Sequence, residues 1–283
     1  MRGLQRGFVI AIAAGVVAFA GGLHGQRPES SRGYSAQDWP LAGGNWSSSR
    51  YSALADITTE TIDRLGGSWV AQLDGGAASR ATPVVKNGIL YLTAGANVFA
   101  LDARTGESVW RWQPDHSEMQ MVPSWQGVGL SGDLVFVGLR SSQVAALRHD
   151  TGELVWVQSV GSEPQQSGET VTTAPLYAQG KVFVGVANGD SGGQGRVVAL
   201  NAETGERQWT FFVVPRPGEF GHDTWPQDSN TWELGGGGVW LVGTVDPELG
   251  MAVACLDGLE RLDKGRPWRC SCEIARSPVL LAR

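Results

Sequence analysis

The sequence predicts an all-β protein, a partial β-propeller of four-stranded antiparallel blades, on two observations. One thirteen-residue phrase occurs three times, as "VFALDARTGESVW" from residue 98, "VAALRHDTGELVW" from residue 144 and "VVALNAETGERQW" from residue 197. In addition, two more strand-like segments precede each copy. A repeat of four short strands with a period of about 40 to 50 residues is typical of a propeller blade. An ordinary antiparallel sandwich is the alternative, and three copies in phase argue against it.

Each copy of the phrase predicts a β-hairpin. In the third copy, the apolar run "VVAL" predicts a buried strand, and the turn that follows ends at Gly205, which is free to adopt positive φ. A second strand then ends at Trp209, whose indole offers a large apolar surface. Trp110 and Trp156 hold the same place in the other copies. We therefore expect the three indoles to occupy equivalent positions between neighbouring blades.

The segments before each hairpin contain turns of their own. They are expected at Asn87-Gly88, around Gly132-Asp133 and around Gly180-Lys181. A closing-type strand is expected around Trp69, after a short helical turn within 58–67. The strands expected in the first repeat are 82–86, 89–93, 98–102 and 107–113, with equivalent sets in the next two.

The beginning of the chain predicts export. Residues 1–20 have a basic start, an apolar run over 8–20 that is short for a membrane span, and a small-residue cleavage site, "AFA". They are interpreted as a signal peptide, with an uncleaved anchor as the alternative, and residues 21–38 as a flexible lead-in. The expectation is a bacterial periplasmic or secreted protein that is not integral to the membrane after cleavage.

Charge and cysteine usage exclude several classes of function. The chain carries 28 acidic and 22 basic side chains, a net charge of −6, and no basic stripe, so nucleic acid is excluded as a partner. Charge alone does not decide between a divalent cation and a basic partner. Cys255, Cys270 and Cys272 have no matching cluster of histidines or cysteines nearby, which argues against a zinc site.

From about Asp38 to Gly250, the repeats resemble the propellers of quinoprotein dehydrogenases, which use pyrroloquinoline quinone (PQQ). Residues 39–250 are assigned to such blades. Because other propellers share the repeated phrase, a non-catalytic repeat protein for binding or outer-membrane assembly is the alternative. The segment "VPRPGEFGHDTWPQDSNTWELGGGGVWLVGTVDPELG", residues 214–250, favours the enzyme, since it resembles the stretch of PQQ alcohol dehydrogenases that leads into a cofactor-facing strand.

The resemblance implies an oxidoreductase that oxidises a small alcohol and passes electrons to a periplasmic acceptor such as a cytochrome. Its cofactors would be PQQ and a calcium or lanthanide ion. By position, Trp240 matches the stacking tryptophan, and Thr172 matches a hydroxyl donor to the quinone rim. Asp190 matches the metal-binding carboxylate, which is usually Glu in the family. Asn188 and Gly189 stand where the family packs small residues against the quinone.

Other pocket positions depart from the family pattern. Gln126 stands where an arginine reaches the reactive carbonyls, and it supplies no positive charge there. Arg80 replaces a glutamate that touches a PQQ carboxylate, and its guanidinium could pair with that group instead. Ala187 and Gly238 replace hydroxyl residues, and the region "MQMVPSWQG" lacks the paired cysteines of many members.

After "DPELGM" the blade pattern stops. Residues 251–283 are rich in arginine and cysteine and are expected to be a non-native tail, produced by a frameshift or truncation near codon 252, with a specialised tail as the alternative. The resemblance therefore covers about half of an eight-bladed propeller. Since no position matches the family's catalytic Asp, no catalytic residue is assigned, and an inactive or incomplete fragment is expected.

Overall fold

The computed structural model describes residues 38–73, 79–114, 122–162, 168–234, 236–241, 243–246 and 251–253. The expected signal peptide, all but the last residue of the lead-in, and the tail from residue 254 lie outside this part. Three four-stranded antiparallel sheets, each paired in chain order, form three blades, and a two-stranded sheet follows them. This arrangement confirms the all-β partial propeller.

The strand bounds follow the repeats. The first blade consists of β1 (Val84–Lys86), β2 (Ile89–Ala94), β3 (Asn97–Asp102) and β4 (Ser108–Trp112). The second consists of β5 (Pro123–Leu130), β6 (Leu134–Leu139), β7 (Gln143–Arg148) and β8 (Leu154–Ser159). The third consists of β9 (Leu176–Ala178), β10 (Lys181–Val186), β11 (Arg196–Asn201) and β12 (Arg207–Phe212). The final pair is β13 (Thr244–Asp246) and β14 (Met251–Val253), so regular pairing continues three residues past the boundary expected at Gly250.

The helical residues within the described ranges form single 3₁₀ turns. They are Ile62–Arg64, which confirms the helical turn expected there, Gly189–Ser191, His222–Thr224 and Thr231–Glu233. No helix in the described ranges has the length and apolar character needed to cross a membrane.

The same irregularity recurs between the third and fourth strands of every blade. The register shifts by one residue directly after an alanine that faces the repeated tryptophan. The facing pairs are Ala100 with Trp110, Ala146 with Trp156 and Ala199 with Trp209. The three tryptophans are equivalent within their sheets. The position expected between neighbouring blades is confirmed for Trp110 and Trp156.

These tryptophans join one blade to the next. The indole N–H groups of Trp110, Trp156 and the earlier Trp69 each donate a hydrogen bond to a backbone carbonyl in the third-to-fourth-strand turn of the following blade, and each ring lies against the glycine of that turn. The bonds are Trp110 Nε1 to His149 O (2.9 Å), Trp156 Nε1 to Ala202 O (3.2 Å) and, from the segment before the first blade, Trp69 Nε1 to Ala103 O (3.1 Å).

Trp209 lacks this bond. Its Nε1 atom is buried and has no hydrogen-bond partner among the described residues. Its ring packs on Phe183, with 5.9 Å between centroids, in a cluster that also contains Leu41 and Trp46. The third blade therefore presents the same docking element as the first two, without a following turn to receive it in the described ranges.

The strand expected around Trp69 is not formed. Residues 65–73 have no regular secondary structure, although Trp69 makes its docking contact. A strand requires a ladder of backbone hydrogen bonds to a neighbour. None of the described residues pairs with this segment, so the apolar pattern alone was misleading.

The first turns of the blades carry backbone conformations that favour glycine and asparagine. Asn87 and Gly88 have φ values of 52° and 77°, as expected for a tight hairpin turn. In the third blade the turn is formed by Gln179 and Gly180, with φ values of 49° and 75°, and not by Gly180 and Lys181 as expected. Lys181 already begins β10, because its apolar neighbours pair with β11.

The glycine of each docking turn leaves room for the preceding blade's tryptophan. At Gly205, φ is +75° and an added Cβ would lie 2.8 Å from Cδ2 of Trp156. Gly180 has the same φ, but an added Cβ there would meet nothing within 4 Å. A substitution at Gly180 therefore reports backbone strain alone, whereas the same substitution at Gly205 adds a steric conflict with the Trp156 ring.

We expect Gly205→Ala to lower the free energy of unfolding by about 1–3 kcal/mol more than Gly180→Ala, the typical cost of overpacking. Urea denaturation followed by far-UV circular dichroism measures both variants. Equal losses would show that the indole does not press on the turn.

The blades stack face to face through apolar side chains. One cluster between the first and second blades contains Val84, Val128 and Val137, each at most 1% exposed. A second cluster, between the second and third blades, contains Phe136 and Val184. Burial of these faces holds the first strands of successive blades side by side.

The strand order places loops from all blades together. Because neighbouring strands are antiparallel, the end at which β1, β5, β9 and β13 begin is also the end at which β2, β6 and β10 finish. We call it the upper end. The turns that receive the tryptophans lie at the opposite, lower end.

Candidate functional site

The residues predicted to hold a cofactor come from distant parts of the sequence, and the topology brings them to the upper end. Each lies in one of three places: before the first strand of a blade, in the first half of that strand, or directly after the second strand of the blade. They are Arg80 before β1, Gln126 in β5, Thr172 before β9, Asn188, Gly189 and Asp190 after β10, and Trp240 before β13.

The backbone of Trp240 joins two of the other predicted residues. Its carbonyl oxygen accepts a hydrogen bond from Gln126 Nε2 at 2.8 Å and another from Thr172 Oγ1 at 3.3 Å. These donors lie 114 and 68 residues earlier in the chain. Trp240 is 41% exposed. The structure thus brings three predicted residues together beside a partly exposed aromatic ring.

The loop of Asn188 and Gly189 packs against the segment that leads to Trp240. Gly189 O accepts a hydrogen bond from Gly236 N at 3.0 Å, and an added Cβ at Gly189 would lie 2.7 Å from the Gly236 carbonyl carbon. Asn188 adopts φ 68° and is exposed. Asp190 is the middle residue of the 3₁₀ turn, and its side chain lies outside the described part.

A bulge in β5 presents Gln126. Pro123 pairs with Leu139 and Val128 pairs with Val137, so the residues from 124 to 127 face a single partner position. Gly127 permits this path with φ +106°. The bulged chain turns its side chains towards the loops of neighbouring blades.

The bulge is tied to the third blade. The hydroxyl of Ser124 donates a hydrogen bond to Thr172 O. Thr172 also donates to the Trp240 carbonyl. Through these two hydrogen bonds, Thr172 connects the second blade and the third blade to the segment that carries Trp240.

A buried ion pair anchors the segment that carries Thr172. The Arg196 guanidinium contacts the Glu169 carboxylate, and their side chains are 2% and 0% exposed. Ser162 donates two hydrogen bonds to this carboxylate, both of 2.8 Å, from its backbone N and its Oγ. Burial lowers the pKa of the Arg196 guanidinium from its ordinary value, and the neighbouring Glu169 opposes that shift. This network was not predicted from the sequence, because Glu169 and Ser162 are 27 and 34 residues from Arg196.

An aromatic residue next to Gln126 was also not predicted as part of the site. Trp125 is 40% exposed, and two guanidinium groups lie over its ring, that of Arg140 at 4.9 Å and that of Arg80 at 5.9 Å from the centroid. The letters "SWQG" place Trp125 beside a predicted site residue. Arg140 follows β6 and carries no signal of its own in the sequence.

The described residues fit part of a PQQ site. A flat aromatic face, an amide with a free hydrogen-bonding edge and a glycine-lined loop suit one wall of a planar, polar ligand. A hard cation takes six to eight oxygen ligands. Within the described ranges, no group of three histidine, cysteine, aspartate or glutamate side chains could hold a metal ion. The residues described here therefore do not complete a metal site.

The fold defines a partial β-propeller protein, and the predicted site residues lie at its upper end. The chain belongs to the PQQ-dependent dehydrogenase propeller family: the family model described as "PQQ: Glucose/ethanol/alcohol dehydrogenase, beta-propeller domain" matches residues 39–256.

Individual relatives agree with this assignment. The quinohemoprotein alcohol dehydrogenase of Comamonas testosteroni is 36% identical over 228 residues, which cover 75% of this chain and 32% of the relative. Its crystal structure matches with a TM-score of 0.69 over 77% of this chain and 35% of that one. Lupanine 17-hydroxylase [cytochrome c] of a Pseudomonas species is 28% identical over 80% of this chain and 34% of the relative.

A europium-containing methanol dehydrogenase also matches, with a TM-score of 0.69 and 26% identity over 78% of this chain and 42% of that one. The chain spans about a third of the length of the curated relatives that it matches.

Proposed function

We propose that this chain forms one wall of the cofactor cleft of a PQQ-dependent dehydrogenase that oxidises a small alcohol. The observation that carries the proposal is the meeting of Gln126, Thr172 and the Trp240 segment at the upper end. Family membership gives the class of cofactor, and the names of the relatives give the class of substrate.

PQQ would supply the two-electron oxidising power of the reaction. In the cleft, the exposed face of Trp240 would support the planar ring system. Gln126 uses one amide hydrogen on the Trp240 carbonyl and keeps a second hydrogen for the ligand. As a neutral donor, it would stabilise developing negative charge less than a guanidinium does.

Thr172 would act mainly by position. Its single hydroxyl hydrogen is donated to the Trp240 carbonyl, so the oxygen faces a ligand only as an acceptor. The buried Glu169–Arg196 pair holds the backbone three residues before Thr172. Through its hydrogen bond to that carbonyl, Thr172 would hold the Trp240 backbone, and with it the ring, in place within the cleft.

We propose Asp190 as a ligand of a calcium or lanthanide ion beside the quinone. Its loop packs on the segment that leads to Trp240, which supports this assignment. A carboxylate oxygen is the donor that such hard cations prefer. The remaining ligands would come from outside the described residues.

Export and electron transfer complete the proposal. The pattern of residues 1–20 favours a signal peptide and a periplasmic or secreted location. The name of one relative, lupanine 17-hydroxylase [cytochrome c], includes a cytochrome c. A periplasmic cytochrome is accordingly proposed as the electron acceptor.

Titration of the chain with PQQ, followed by tryptophan emission, tests the proposed cleft. We expect quenching in the wild type and about tenfold weaker binding in Trp240→Ala, because the stacking face is removed. Trp225→Ala, in the connection before the cleft, is the matched control and should bind as the wild type does. Asp190→Ala should abolish any strengthening of binding by Ca²⁺ or La³⁺. Identical titrations of the wild type and Trp240→Ala would contradict the proposed function.

A further inference from the structure

An exposed indole with two guanidinium groups over it lies at the upper end, next to the proposed cleft. We propose that Arg80, Trp125 and Arg140 form a binding site for a carboxylate attached to a planar ring. We call these three residues the arginine clamp. The inference rests on the proposed function only for the identity of the neighbouring cleft.

The two cations of the arginine clamp have no charge partner in the described ranges. The guanidinium carbons lie 5.9 Å and 4.9 Å from the centroid of the Trp125 ring, for Arg80 and Arg140 respectively. Both side chains are exposed, and neither forms an ion pair or a side-chain hydrogen bond with another described residue. In a chain with a net charge of −6, these two guanidinium groups form a local concentration of positive charge that no described carboxylate pairs with.

This arrangement suits a carboxylate on a flat ring. A guanidinium that faces an aromatic ring engages that ring through its own face and leaves N–H groups at its edge for other partners. Such edges bind carboxylates with two parallel hydrogen bonds. The two like charges repel each other across one indole, and an anion between or beside them removes that repulsion. The exposed part of the indole adds an apolar surface for a planar ligand.

The β5 bulge fixes the arginine clamp relative to the cleft. Trp125 directly precedes Gln126, which donates to the Trp240 carbonyl at 2.8 Å. The backbone of Arg140 is held to the start of β5 by its N–H donating to Val122 O at 2.9 Å. Trp125 and Arg140 are therefore held beside the residue that contacts the Trp240 backbone.

Two sources could provide the carboxylate. One is PQQ itself, which is a tricarboxylated quinone. The other is a substrate, an aromatic alcohol that also bears a carboxylate. The shared chemistry is a planar carboxylate, and separate probes distinguish the two sources.

Calorimetric titration of the full chain tests the arginine clamp with PQQ, the uncharged PQQ trimethyl ester, 4-(hydroxymethyl)benzoate and the methyl ester of that benzoate. We expect Arg80→Gln and Arg140→Gln each to weaken binding of an acid by about tenfold, the size of one charge-assisted hydrogen-bonded pair, and to leave its ester unaffected. Arg104→Gln, an exposed arginine in a lower-end turn, is the matched control and should change nothing. Circular dichroism checks that all variants are folded.

The outcomes separate the clamp from the proposed function. Loss confined to PQQ assigns the cofactor as the source of the carboxylate, and loss for the benzoate assigns the substrate. The clamp would be overturned if PQQ and its ester bound equally and if neither arginine variant changed the affinity for PQQ or for the benzoate. That result would leave the proposed quinone cleft intact. Binding of the benzoate alone, weakened in both variants, would support the clamp and count against the PQQ cleft. No binding of either acid would overturn the clamp.

Discussion

Glu169→Gln is expected to lower the free energy of unfolding by about 3–5 kcal/mol, because it leaves the buried Arg196 guanidinium without its counter-charge. The substitution preserves the size of the side chain, so the loss reports charge and hydrogen bonding. The Arg196 and Glu169 side chains are 2% and 0% exposed, and water cannot replace the missing partner. Urea denaturation followed by circular dichroism measures the effect.

An exposed ion pair in the same fold supplies the control. Arg148 and Asp150 approach to 3.7 Å, and their side chains are 49% and 52% exposed. Asp150→Asn should cost at most about 1 kcal/mol, since solvent screens this pair. If Glu169→Gln were no more harmful than Asp150→Asn, the ion pair would not anchor the third blade.

Trp156→Ala is the second change with a large expected effect, about 3–5 kcal/mol of unfolding free energy. It removes the ring that packs on Phe136, with 6.0 Å between centroids, and the hydrogen bond to Ala202 O. Trp156→Phe keeps much of the packing and should cost less, with the loss of the hydrogen bond contributing about 1 kcal/mol. Denaturation of both variants separates the two contributions. Equal and small losses would contradict the role of the indole in joining the second blade to the third.

The repeated phrase was sufficient to predict the blades, because each local feature has its own physical cause. Turn glycines must adopt positive φ, apolar runs must be buried, and the tryptophan must face the next turn, so a pattern in sequence translates directly into structure. The expected strands of the first blade differ from the observed ones by at most two residues at each end. The prediction of a strand around Trp69 was wrong, because a strand needs a neighbouring strand to pair with, and the sequence of the segment alone does not show whether one is present.

Much of the candidate site could be located only through its resemblance to a known family. No local pattern indicates that Gln126 and Thr172 share the carbonyl of Trp240, since the contact depends on how three blades stack. The pairing of Arg140 with Trp125 depends on a bulge whose residues pair irregularly with β6. Contacts of this kind depend on tertiary structure, and a single sequence does not reveal them.

Hydrogen–deuterium exchange with and without PQQ tests most directly the central claim that separate repeats build one cleft at the upper end. We expect slower exchange in peptides covering 122–128, 168–173, 186–191 and 236–241, because these segments meet around the Trp240 backbone. The lower-end turns at 103–106, 149–152 and 202–205 should exchange at unchanged rates. Protection confined to one of the four segments, or protection of the lower-end turns instead, would contradict the account.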